Sequence, residues 1–74
     1  MGTKNNPGTF DCYKNAELDE PMFILLARDK YAPAVVNFWA ELRENDNPND
    51  VKVFEAFKCV KAMIAWRAVN RKKD

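Results

Sequence analysis

Side chains able to engage a ligand fall in three short clusters. Phe10, Tyr13 and Lys14 set two aromatic rings beside a cation, a grouping that can stack on a base and neutralise a phosphate. Arg28, within Arg28-Asp29-Lys30, offers a planar fork suited to a carboxylate or phosphate. Trp66-Arg67 repeats the pairing of ring and cation in the last third of the chain. On a helical wheel Arg67 falls between Ala56 and Val60, inside an otherwise apolar arc. Each cluster also has a purely architectural reading. Phe10 and Tyr13 can pin the N-terminal segment, Arg28 can end a helix, Trp66 can fill a core, and Arg67 can extend its stem along apolar surface with its head in water.

The rest of the composition removes most catalytic chemistry. The 74 residues include no His, and no Ser or Gln is present either; the two glycines both precede residue 9. A Ser–His or Cys–His nucleophile pair is therefore impossible within one chain, and so is a glycine-rich phosphate loop. Cys12 and Cys59 are too few for a four-ligand zinc site, so no metal or cofactor is expected. We expect both as free thiols of a reducing compartment. The carboxylates have local explanations. Asp19 and Glu20 precede a helix start, Asp46 and Asp50 lie in a turn, and Glu41 and Glu44 take a solvated face. The chain reads as a non-enzyme. The longest unbroken apolar run is Met22-Phe23-Ile24-Leu25-Leu26-Ala27, far short of the roughly 20 residues a membrane helix needs. With no leader-like start, a soluble cytoplasmic protein is expected.

Charge is divided along the chain. Residues 1–50 carry five basic and nine acidic side chains, whereas residues 51–74 carry seven basic and two acidic, with Arg67, Arg71, Lys72 and Lys73 near the end. Such a basic end either complements a helix dipole or faces an anion. The formal net charge of +1 argues against a general duplex-DNA binder.

Four elements must position these residues. Residues 1–8 hold no apolar pattern and read as a disordered arm, followed by a single helical domain over 9–74. Thr9 is placed to cap a short helix through Ala16. Asp19-Glu20-Pro21 reads as the start of a second helix ending near Asp29. Pro33 opens a third, over 33–45, with Val35, Phe38, Trp39 and Leu42 on one face. Asn45-Asp46-Asn47-Pro48-Asn49-Asp50 is dense in turn formers. The last helix, about 49–71, has Val53, Phe57, Val60 and Ile64 as its central stripe, flanked by Phe54 on one side and by Cys59, Met63 and Trp66 on the other. The fold class is all-α: short N-terminal helical segments before an antiparallel helical hairpin. The apolar arc of the last helix is wider than one neighbour can cover. A homo-oligomer is therefore expected, with Phe54, Cys59, Met63 and Trp66 at an interface with another subunit or a partner.

Residues 19–29, with Ala32-Pro33, Val36, Trp39, Lys52, Glu55-Ala56, Met63 and Trp66-Arg67, resemble small uncharacterised proteins of bacteriophages and prophages. Short segments before a helical hairpin are also similar, more loosely, to the phage anti-CBASS and anti-Thoeris sponges, which oligomerise and sequester cyclic-nucleotide signals. The His-Pro pattern and alanine-rich final stretch of those proteins are missing here. The likeness implies an anti-defence binding protein in the host cytoplasm, with Tyr13 stacking on a base and Arg28 and Lys14 holding phosphate. With Phe10 and Arg67 these form the expected ligand site. The other expectation is a phage inhibitor that docks an exposed helix face on a host defence or polymerase protein.

Overall fold

A computed structural model describes residues 1–70. Among these the chain is helical, with no strand. A single turn, α1 (Cys12–Asn15), is followed by α2 (Ala32–Asp46) and α3 (Val51–Asn70). Arg71, Lys72 and Lys73, expected at the basic end, lie outside the described residues.

Two long helices joined by a four-residue turn pack as an antiparallel hairpin. Pro33 lies in the first turn of α2, where its missing N–H is harmless. The Asp29 Oδ1 accepts from the N–H of Tyr31, which precedes the helix. Asp50 organises the far end. Its Oδ1 accepts from the Lys52 N–H at 2.9 Å, capping α3. Its Oδ2 accepts from the Arg43 Nη2 at 2.6 Å and Nε at 3.1 Å, tying the last turn of α2 to the first turn of α3. The guanidinium holds the Asp50 carboxyl below its usual range, with the Lys52 N–H adding to the effect.

The helices meet through small side chains. Ala32 and Ala40 on α2 are buried, as are Val53, Ala56, Val60 and Met63 on α3. Alanines at the contact let the helix axes approach closely. This corrects the expected facing of both helices. Val35, Phe38 and Leu42, read as the inward stripe of α2, are instead between 47% and 61% exposed. Trp39 is half-covered, with the Arg43 guanidinium 5.1 Å from its ring. On α3 the buried stripe is rotated toward Met63, leaving Ile64 open. Side-chain size had favoured the large residues, whereas close approach favours the small ones.

The N-terminal third also departs from expectation. Asp11, not Thr9, caps α1, which is one turn long. Residues 1–8 are drawn against α3 rather than detached: the Met1 ammonium lies 3.3 Å from Glu55 Oε1 and also donates to the Phe10 carbonyl. Gly8 permits this approach. Its φ is +81°, and a β-carbon there would collide with the Met1 carbonyl and the Glu55 carboxylate. The helix expected from Asp19 to Asp29 does not form. Residues 20–26 are extended, and none of the N–H groups of residues 22–28 donates a hydrogen bond among the described residues. The run of six apolar side chains has no polar face to turn to water. The extended chain turns Leu25 and Ala27 partly inward at alternate positions and leaves Met22, Phe23, Ile24 and Leu26 exposed.

Candidate functional site

A groove of about 430 Å³ runs between the N-terminal arm, the extended segment and α3. That volume falls within the range of small-molecule clefts. Lys4 comes from the arm and Arg28 from the end of the extended segment, while Cys59, Met63 and Trp66 supply the helical wall. No carboxylate lines it among the described residues. A second hollow of about 330 Å³ shares Gly2, Cys59 and Ala62 with it and reaches Lys58 and Glu55.

Arg67 builds this groove. Its Nη1 donates to the Arg28 carbonyl at 2.7 Å and to the Ala27 carbonyl at 3.2 Å. A guanidinium thus takes up two carbonyls that accept no backbone N–H among the described residues, which gives Arg67 a reason to fall inside the apolar arc. In doing so it fixes the backbone that carries Arg28. Neither Arg67 nor Phe10 lines the groove.

The expected residues therefore divide. Arg28 and the α3 trio Cys59, Met63 and Trp66 come together, Met63 being 9% exposed within the core and Trp66 at the rim. Phe10, Tyr13 and Lys14 stay on the short α1 region, away from the groove lining. Phe10 is held through its N–H to Glu55 Oε1 at 3.5 Å and by the Lys52 ammonium 5.4 Å from its ring. Tyr13 is 74% exposed. Phe54 is open on the outer side of α3. Sequence reasoning missed Lys4, which the unpatterned arm gave no reason to single out. It also missed Glu55, whose role depends on the arm folding back.

Both cysteines are free. Burial pushes the Cys59 thiol up, with the Glu55 carboxylate acting in the same direction and the N-terminal ammonium opposing. Cys59 is therefore a groove wall that stays protonated at neutral pH, the opposite of an activated nucleophile. Among the described residues, no three His, Cys, Asp or Glu side chains cluster as metal ligands. No helix among them is long and apolar enough to cross a membrane. No family model, curated protein or solved structure matches the chain.

Proposed function

We propose that the protein is a non-catalytic, self-associating binding protein of phage type, which sequesters a cyclic oligonucleotide immune signal inside the bacterial cell. The groove that sets Lys4 and Arg28 beside Trp66, with no carboxylate among its described lining, carries this reading. Two cations suit phosphates, and an indole at the rim suits a base. Arg28 retains the phosphate role that its sequence position implied. Trp66 takes the stacking role expected of Tyr13, which leaves Tyr13 and Lys14 as a separate exposed contact.

Thermal shift and calorimetry against a panel of cyclic dinucleotides and trinucleotides test it. At least one member should raise the melting temperature at high micromolar concentration, and Arg28→Ala should abolish that rise while leaving the unliganded melting temperature nearly unchanged. A flat response to every member overturns the reading. The second reading, an inhibitor of a host defence or polymerase protein, draws on the exposed Phe54 and Ile64 of α3. A stoichiometric host protein recovered on wild-type chain and lost with Phe54→Glu would favour it instead.

A further inference from the structure

The N-terminal arm is closed by its own amine. The Met1 ammonium has three protons and meets three acceptors: Glu55 Oε1 at 3.3 Å, the Pro7 carbonyl at 3.1 Å and the Phe10 carbonyl. The Met1 and Glu55 side chains are only 17% and 19% exposed, so solvent screens this pair weakly. Chain ends ordinarily fray unless something ties them down, and here the tie is the ammonium itself.

The backbone is shaped for that contact. Thr3 and Asn6 exchange two backbone hydrogen bonds, at 2.8 Å and 3.2 Å, and the Thr3 hydroxyl accepts from the Asn6 N–H at 2.9 Å. Both glycines of the chain serve this loop. Gly8 makes room for Met1 and Glu55, while Gly2 has φ +155° and a β-carbon there would strike the Asn6 carbonyl. Lys4 lies within the Thr3–Asn6 turn and lines the groove, so the contact that closes the arm also sets a groove cation. An acyl group would turn the ammonium into a neutral amide with a single N–H, leaving Glu55 without its cation. Loss of Met1, or a residue added ahead of it, shifts the charge along the chain by about 3.8 Å. Met before Gly is also a residue that processing can remove.

We infer that the α-amine of Met1 is a modification-sensitive latch. Free, it closes the arm and holds Lys4 at the groove; acylated, extended or removed with Met1, it releases both. The inference does not depend on what the groove binds, and its test uses no ligand. Trypsin cleavage after Lys4 in the full chain, followed by mass, reports the open fraction of the arm. Each rate is divided by that of the same bond in the free peptide 1–9 with the same terminus. Acetylation of the α-amine should speed this cleavage at least roughly tenfold, the fold-change for one charge-assisted hydrogen bond. Removal of Met1 should do the same. Glu55→Gln should also speed it and should shrink the effect of acetylation, because the pair is already broken. Cleavage after Lys61, within α3, should keep its rate throughout. An acetylated chain cut after Lys4 at the free-amine rate overturns the inference. So does an acetylation effect of undiminished size in Glu55→Gln, or an equal acceleration after Lys61.

Discussion

Single side chains in this protein serve two elements at once. Asp50 caps α3 with one oxygen and grips Arg43 of α2 with the other. Its carboxyl is held below the ordinary value of 3.8, so the folded state binds its proton less readily than the unfolded state. That stability is present above pH 3.8 and is lost as pH falls through the folded value. Acid titration of the helical signal should therefore show a loss at that end, which Asp50→Asn removes. The thiols differ in the same local terms. Cys12 is exposed, while Cys59 is half-covered and its thiol is pushed up by burial. Alkylation at neutral pH, followed by peptide mass, should modify Cys12 well before Cys59, and Cys59 should react as pH rises. A bound groove ligand should slow Cys59 further and leave Cys12 unchanged.

At the scale of elements, α2 and α3 depend on small residues at the contact and on one guanidinium beyond it. Ala40→Leu should push the helices apart and destabilise the fold by about 1–3 kcal/mol, read in a urea titration. Arg67→Met keeps much of the stem but withdraws the donors to Ala27 and Arg28. Hydrogen exchange should then speed up around the segment's anchored end, at the Asp29 and Ala32 turn amides, while the middle of α2 keeps its protection. The two long helices were legible in the sequence because Pro33 and the Asn45–Asp50 turn formers punctuate them. The packed face of α2 was not, because helical spacing locates an apolar stripe without saying what covers it. The stretch from Asp19 to Asp29 misled for a related reason. An acidic cap before Pro21 is a start signal, but Met22 through Ala27 offers no periodicity to sustain a helix. Half of the site was readable: Arg28 and Trp66 carry obvious chemistry, whereas their meeting depends on an arm that has no pattern.

The whole molecule is a hairpin with an N-terminal third laid over one flank. The apolar breadth of α3 had implied that something must cover it. On one flank Leu25, Leu26 and Ala27 of the same chain face it across the groove. The extended segment has a consequence for the state of the protein at high concentration. Met22 to Ala27 is an uncharged, proline-free hexapeptide whose N–H groups find no acceptor among the described residues and whose Phe23 and Ile24 lie open. Those are the ingredients of cross-β aggregation. Its flanks act as gatekeepers, with Glu20 and Pro21 before and Arg28 and Asp29 after. Arg67 blocks the far end by occupying its last carbonyls. Pro21 and Arg67 would then matter most to the shelf life of a concentrated solution, by denying a neighbouring chain a strand to copy.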